Sequence, residues 1–280
     1  MTRVTELQGT IPALLTPFDT EGRVDLAAMD AHLAWLRERG VGCVSPLGTT
    51  GEGPSLSLAE RKAVIEHIAR SGFAFVPGTG ASALPEAVEL SAFALERGAA
   101  AVLVAPPWYY DASPVGTQEF FARLLDALPA GAAVLAYHIP AVTGIPIQDD
   151  VLDLVAGAKD SSGDLAHTLA WLRDFPSHTI LNGSDASAAA FYAAGGRCTL
   201  TMLANAFPER LEAIRRGEDP QGNQDFLVRA RELVDSFPRH AALKHLLHAR
   251  CGLPRSRVRP PLDELTPEQV ERLEAAHDLL

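Results

Sequence analysis

The chain has 280 residues and a mass of 29.8 kDa, which suits one large domain or two modest ones. Hydrophobic residues make up 47% and charged residues 21%, so a substantial core is expected rather than disorder. The formal charge, 24 − 35 = −11, argues against a nucleic-acid groove or a polybasic membrane patch. Among the basic residues only Lys62, Lys159 and Lys244 are lysines.

Short apolar runs alternate with longer amphipathic stretches along most of the chain. The runs largely lack polar alternation, which is typical of strands buried on both faces of a parallel sheet. Helical spacing predicts helices at 25–39, 58–69, 84–97 and 115–128, the second opening on a Ser57–Glu60 capping box. The eight predicted strands lie at 11–16, 42–47, 73–77, 99–105, 133–137, 156–159, 179–182 and 198–203.

Eight alternating units in about 250 residues predict an α/β fold, a (β/α)₈ TIM barrel, with an open doubly wound sheet as the alternative. After the eighth strand only helical patterns follow, at 207–216, 221–236, 239–251 and 267–280. We therefore expect a barrel core over residues 1–206 and a C-terminal helical extension over 207–280, packed on the barrel.

The expected cellular compartment is inferred from the membrane-span, signal-peptide and cysteine patterns of the sequence. No apolar run approaches the ~20 residues that a membrane span needs, and residues 1–6 lack a signal-peptide pattern. Cys43, Cys198 and Cys251 are odd in number and show no CxxC spacing, which favours buried, reduced thiols. The sequence predicts a cytoplasmic protein.

One lysine stands at a position where chemistry is expected. Active sites of such barrels lie at the carboxyl ends of the strands, and Lys159 ends an apolar run there. Burial disfavours the charged ammonium, and a neutral amine can attack a ketone to form a Schiff base. The alternatives are a lysine that extends to solvent at the rim or one that pairs with Asp160.

Two further features end other predicted strands at the same rim, Tyr137 on the adjacent fifth strand and a polar segment on the second. Tyr137 could carry protons to and from the reacting centre, although a lone tyrosine is more often a core residue with its hydroxyl in water. The segment Gly48-Thr49-Thr50-Gly51-Glu52 offers N–H groups and hydroxyls that could hold a carboxylate, but it is not a P-loop.

The other titratable residues suggest no site. His240, His245 and His248 fall in one predicted helix without a metal-ligand pattern, so we expect an ordinary helix face and no metal. Lys62 and Lys244 are both expected to be solvated. No basic cluster marks the rim, which favours an unphosphorylated substrate.

Six short motifs are spread along nearly the whole chain: Thr16-Pro17-Phe18, Gly48-Thr49-Thr50-Gly51-Glu52, Tyr137-His138-Ile139-Pro140, Lys159-Asp160, Asn182-Gly183-Ser184-Asp185 and Arg259-Pro260-Pro261-Leu262. Taken together, they resemble the dihydrodipicolinate synthase / N-acetylneuraminate lyase family.

The resemblance implies a (β/α)₈ barrel, assembled as a homotetramer or dimer, that needs no cofactor because its lysine forms a Schiff base with pyruvate. Lys159 would then be the Schiff-base residue and Tyr137 the proton relay. Thr49 would connect Tyr137 to a tyrosine of a neighbouring subunit, Tyr110 in preference to Tyr109. Thr50 would bind the pyruvate carboxylate. The remaining expected substrate-binding residues are Gly48, Ser161, Gly183, Ser184 and Asp185.

Departures from the family pattern favour one subgroup. Dihydrodipicolinate synthases carry an arginine where this chain has Val142, and sialic acid lyases carry an acidic residue where it has Ala186. An apolar residue at the Val142 position is typical of 2-keto-3-deoxy sugar acid aldolases.

Three hypotheses follow. The first is a lyase that cleaves a 2-keto-3-deoxy sugar acid to pyruvate and an aldehyde, or condenses the two. The second is a dihydrodipicolinate synthase acting on pyruvate and aspartate semialdehyde with a different arginine, or a keto-acid dehydratase of the same family. The third is a catalytically silent barrel that binds a keto acid.

Overall fold

A ring of eight parallel strands forms the centre of the computed structural model, which describes residues 4–277. One six-stranded sheet has the order β1-β8-β7-β6-β5-β4, and β2 pairs with β3. Parallel bridges from Ala13 to Ser45 and from Gly78 to Leu103 join the two sheets, which confirms the predicted (β/α)₈ barrel. The strands are β1 (Gly9–Pro12), β2 (Cys43–Val44), β3 (Ala74–Phe75), β4 (Val102–Val104), β5 (Val134–His138), β6 (Gly157–Asp160), β7 (Thr179–Asn182) and β8 (Cys198–Thr201).

Helices follow the strands around the outside of the ring. The Ser57–Glu60 capping box is present at the start of α2, as predicted. Between β5 and β6 there are two single-turn helices instead of one long helix. The helices are α1 (Leu26–Glu38), α2 (Leu58–Ser71), α3 (Leu84–Glu96), α4 (Pro114–Ala127), α5 (Pro140–Thr143), α6 (Asp149–Leu152), α7 (Leu165–Asp174), α8 (Ala188–Ala193), α9 (Pro208–Arg216), α10 (Pro220–Asp235), α11 (Arg239–Cys251) and α12 (Pro267–His277).

Several strands are shorter than the apolar runs that predict them. β2 and β3 each contain two residues, because Pro46 and Pro77 lack the N–H that a longer ladder requires. Leu47 then adopts a positive φ of 65°, which turns the chain out of the barrel into the loop that follows. The apolar run therefore predicts the strand, and the proline shortens it.

The core has three parts. One apolar cluster lies between the strands and the surrounding helices, and a second fills the inside of the barrel. A third lies among α9, α10 and α11 and the segment after β8. Tyr137 belongs to the cluster inside the barrel, so its ring is packed below the rim.

The C-terminal helices are joined to the barrel by polar contacts as well as by apolar packing. Glu212 of α9 accepts a hydrogen bond from the N–H of Thr10 in β1 at 2.8 Å. Gln224 of α10 donates to the carbonyl of Asp185 at 2.9 Å. The division at residues 206 and 207 stays a prediction.

Two predicted segments reach beyond the described residues, since the N-terminal stretch begins at residue 1 and the last predicted helix runs to residue 280. Within residues 4–277, none of the helices combines the length and apolarity that crossing a bilayer requires. The three cysteines are free thiols, and Cys43 and Cys198 are buried as expected.

Candidate active site

Lys159 and Tyr137 meet inside the mouth of the barrel. The parallel register pairs Lys159 with Tyr137 on one side and with Leu181 on the other, so the three side chains project to the same face of the ring. Lys159 is only 5% exposed, and its Nζ donates to the Tyr137 hydroxyl at 3.4 Å. A solvated lysine at the rim is therefore excluded.

Asp160 takes no part in holding that lysine. Its carboxylate accepts hydrogen bonds from Thr168 at 2.7 Å and from the N–H of Ser162 at 2.9 Å, and it lies 2.8 Å from the ring nitrogen of His167. Because successive strand residues point to opposite faces, Asp160 faces away from the barrel interior. The alternative that Lys159 pairs with Asp160 is wrong.

Thr49 extends the contact from Tyr137 towards the loop that follows β2. The Thr49 hydroxyl lies 3.3 Å from the Tyr137 hydroxyl, so the three polar groups form a row from the amine to the loop. The loop is fixed by Thr16, whose hydroxyl donates to the carbonyl of Gly51 at 2.6 Å. Gly53 is required there, because a Cβ would lie 2.0 Å from the carbonyl oxygen of Leu47.

Gly183 marks the closest approach of the β7 end to the lysine. A Cβ at this position would lie 2.1 Å from the Ser161 hydroxyl and 3.1 Å from Cε of Lys159. The absent side chain thus leaves the space through which Lys159 and Ser161 reach the cavity.

The cavity at the mouth of the barrel has a volume of about 290 Å³. Of the residues predicted from the sequence, it brings together Thr49, Thr50, Tyr137, Lys159, Ser161, Gly183 and Ser184. Val142 of α5 is also on the wall, so the position that departs from the synthase pattern does face the site. The other lining residues are Ala13, Ile139, Ala141, Ser162, Gly163, Met202, Arg231, Arg239 and His240.

Three predicted residues lie elsewhere. Gly48 lines a neighbouring cavity of about 210 Å³ on the other side of Thr49 and Tyr137. Asp185 is fully buried, accepts from the N–H of Leu203 at 3.2 Å and is not part of the cavity wall. Tyr110 is 77% exposed and packs edge-on against Tyr109, outside the cavity of its own chain.

Sequence reasoning missed the contribution of the C-terminal helices. Arg231, Arg239 and His240 line the cavity, so the expectation of a rim without basic residues is wrong. His240 was expected on an ordinary helix face, yet its Nε2 donates to the carbonyl of Thr49 at 3.0 Å, and burial lowers its pKa. Each of the two arginines pairs with Asp235, at 2.7 and 2.6 Å.

The arginines were overlooked because their spacing is ordinary. Arg231, Asp235 and Arg239 follow one another at intervals of four, a pattern typical of solvated helix faces. The face that carries Arg231 and Arg239 lines the cavity only because α10 and α11 lie next to the rim of the barrel.

The two remaining lysines differ from each other. Lys62 is partly exposed and pairs with Glu89 at 2.5 Å, as a surface lysine does. Lys244 was expected to be solvated, and that expectation is wrong, because it is 3% exposed and pairs with the buried Glu52 at 2.5 Å. The partner lies 192 residues earlier in the chain, so local pattern cannot reveal it.

His138, Asp160 and His167 place ligand atoms within 4.8 Å of one another. Nδ1 of His138 accepts the N–H of Ile147 at 3.0 Å, so a neutral His138 carries its proton on Nε2. That nitrogen has no lone pair to offer a metal ion. The arrangement favours a hydrogen-bond network that supports the ends of β5 and β6.

A model of the dihydrodipicolinate synthetase family matches residues 6–278. The chain belongs to this family. A relative from Chloroflexus aurantiacus, named an uncharacterized DapA-like lyase, is 39% identical over 98% of this chain and 97% of its own. A dihydrodipicolinate synthase from Agrobacterium tumefaciens superposes with a TM-score of 0.90 at 31% identity, over 98% of this chain and 99% of that one.

A third similar protein was solved in complex with pyruvate. It is a prophage protein of the dihydrodipicolinic acid synthase family from E. coli K12, with a TM-score of 0.89 at 25% identity over 98% of both chains. The family consists of class I lyases and aldolases, and the chain is an enzyme of that class, a pyruvate-dependent aldolase.

Proposed function

We propose that this enzyme cleaves a 2-keto-3-deoxy sugar acid to pyruvate and an aldehyde through a Schiff base on Lys159, and also condenses the two. The observation that carries the proposal is the row formed by the buried Lys159 amine, the Tyr137 hydroxyl at 3.4 Å and the Thr49 hydroxyl at 3.3 Å from it. It lies on the wall of a cavity large enough for a small keto acid.

The proposed reaction begins when Nζ of Lys159 attacks the C2 ketone and water leaves, which gives an imine. Tyr137 then removes the proton of the C4 hydroxyl, directly or through the substrate. The C3–C4 bond breaks, the aldehyde leaves, and the electron pair moves into an enamine of pyruvate. Protonation at C3 and hydrolysis of the imine release pyruvate and restore the Lys159 amine.

The other residues hold the substrate in this proposal. The N–H and hydroxyl of Thr50 bind the carboxylate of the keto acid, and Ser161 and Ser184 offer hydroxyls to the sugar chain. Thr49 relays protons between Tyr137 and Tyr110 of a neighbouring subunit. The exposure of Tyr110 supports this, because its side chain is free to reach across a subunit boundary.

Borohydride reduction in the presence of pyruvate tests the chemistry. We expect one covalent label, on Lys159, and no label in Lys159→Arg, since a guanidinium cannot form the imine. A panel of 2-keto-3-deoxy acids, measured as pyruvate release, tests the substrate class. A label at another residue, or the absence of any label, contradicts the proposal.

Dihydrodipicolinate synthesis is the second candidate. Val142 cannot bind a carboxylate, but Arg231 and Arg239 reach the cavity from the extension and could replace the arginine of the synthases. An assay with pyruvate and aspartate semialdehyde separates the two candidates. Turnover of the semialdehyde without cleavage of any sugar acid would favour the synthase.

A further inference from the structure

We propose that Lys244 and Glu52 position the loop that binds the keto-acid carboxylate, so that the C-terminal extension is part of the active site. Both residues are positioning residues, since neither lines the cavity. The inference rests on the proposed role of Thr50 and adds the groups that hold Thr50 in place.

The hydrogen bonds of the Glu52 carboxylate both lead to the extension. One carboxylate oxygen accepts from Nζ of Lys244 at 2.5 Å, and the other accepts from the N–H of Arg259 at 3.0 Å. The carboxylate is fully buried, and Glu52 has a positive φ of 54°, which a side chain adopts only when its surroundings require it. The turn is therefore held by the extension, together with the hydrogen bond from Thr16 to Gly51, and not by its own conformational preference.

The loop is short enough to transmit that constraint. Glu52 lies two residues after Thr50, and its N–H donates to the carbonyl of Thr49 at 3.0 Å. The same carbonyl accepts from His240, which is on the same helix as Lys244. Helix α11 thus fixes both ends of the Thr49–Glu52 turn, and the Thr50 N–H is held between them.

Loss of the Lys244 charge leaves Glu52 as an unpaired carboxylate in the interior, a state that proteins relieve by moving or protonating the group. Either response releases the turn, so the site loses pyruvate affinity while Lys159 and Tyr137 keep their places on β6 and β5. A purely structural ion pair would instead lower the melting temperature and leave pyruvate binding unchanged.

The test measures the pyruvate concentration that gives half-maximal borohydride labelling of Lys159, read by intact mass, together with thermal unfolding. We expect Lys244→Met and Glu52→Gln each to raise that concentration by about tenfold or more, which corresponds to about 1.4 kcal/mol. Labelling at saturating pyruvate should persist. The double variant, which buries no unpaired charge, should recover part of the affinity lost in Lys244→Met.

Lys62→Met is the matched control, because it also removes the amine of an ion pair. That pair, with Glu89, is partly exposed and includes no residue of the Thr49–Glu52 turn. The control variant should label as the wild type does. If the wild type is labelled and the half-maximal pyruvate concentration of Lys244→Met lies within twofold of the wild-type value, the inference is overturned. The proposed function is not affected by that result. If Lys244→Met does not fold, the isosteric Glu52→Gln decides by the same criterion. Absence of a label in the wild type overturns the proposed function, and the inference with it.

Discussion

At the scale of single residues, the proposed site combines the amine of Lys159 with several groups that determine its position. Lys159 and Tyr137 occupy paired positions on adjacent strands, so the parallel register alone brings them together. Thr49 comes from a loop and depends on tertiary contacts for its place. Substitutions at the paired positions should therefore affect chemistry, while substitutions around the loop should affect binding.

Tyr137→Phe should separate proton transfer from imine formation. The ring stays packed inside the barrel, and only the hydroxyl between Lys159 and Thr49 is lost. We expect turnover to fall by about 100-fold or more, the contribution that a general acid–base group makes. Borohydride labelling of Lys159 with pyruvate should remain. Loss of the label, or turnover close to that of the wild type, would contradict the assigned role.

Gly183→Ala should displace the lysine. The new Cβ would lie 2.7 Å from the backbone carbonyl of Asp160 and 3.1 Å from Cε of Lys159, and the former cannot move aside. A displacement of about 1 Å costs on the order of 100-fold in rate. Gly42→Ala is the control, because no atom lies within 4 Å of its added Cβ. Equal turnover in the two variants would show that the crowding is harmless.

At the scale of elements, the extension is joined to the loops of the barrel by arginine as well as by Lys244. Arg259 donates to Glu60 of α2 and to the carbonyl of Gly22 at 2.8 Å, and its guanidinium lies 4.4 Å from the centre of the Phe18 ring. The hydrogen bond from Arg259 lowers the pKa of Glu60 to about 2. A single side chain therefore connects the tail to two separate parts of the barrel.

Arg259→Met should make the protein less stable in a manner that depends on pH. The folded pKa of Glu60 is below its ordinary value of 4.5, so the pair stabilises the fold above that pH, and the contribution is lost as the pH falls towards 2. We expect the difference in melting temperature between wild type and variant to be larger at pH 7 than at pH 3. The contacts with Gly22 and Phe18 do not titrate and keep the difference above zero.

Arg123→Met is the comparison for that measurement, since Arg123 pairs with Glu119 on an exposed helix face, where an ion pair contributes little. Its melting temperature should follow that of the wild type at both pH values. A difference for Arg259→Met that is independent of pH would contradict the assignment to Glu60.

The elements and the strand-end residues could be predicted from the sequence, but long-range contacts could not. The eight strands and the long helices follow from periodicity and end signals, and Lys159 with Tyr137 follows from strand ends. Lys244 and His240 were misinterpreted because their partners, Glu52 and the carbonyl of Thr49, lie far away in the chain, and a helix pattern reports only neighbours three or four residues apart. For Asp185 the motif gives the position but not the direction of the side chain, which the structure shows to be buried.

At the scale of the whole molecule, the exposed apolar residues favour assembly. Tyr109, Tyr110 and Val115 are each more than 70% exposed at the loop before α4 and at its start. Exposed aromatic side chains that lie close together are typical of surfaces that pack against another protein. In the proposed assembly, Tyr110 enters the neighbouring subunit and completes the row that starts at Lys159.

Light scattering after size-exclusion chromatography should return two or four times the mass of 29.8 kDa. Tyr110→Phe should retain that mass and the pyruvate label on Lys159 but turn over more slowly, because the hydroxyl at the end of the relay is lost. A monomeric wild type with full activity would contradict the role proposed for Tyr110.

The pairing of Lys244 with Glu52 also has a consequence for how the enzyme is made. Residue 52 leaves the ribosome long before its partner, 192 positions later, has been translated. A nascent chain that already contains all eight strands, Lys159 and Tyr137 still lacks the cation that neutralises the buried Glu52. If the pair positions the loop as proposed, the active site is completed only after the barrel strands have all been synthesised.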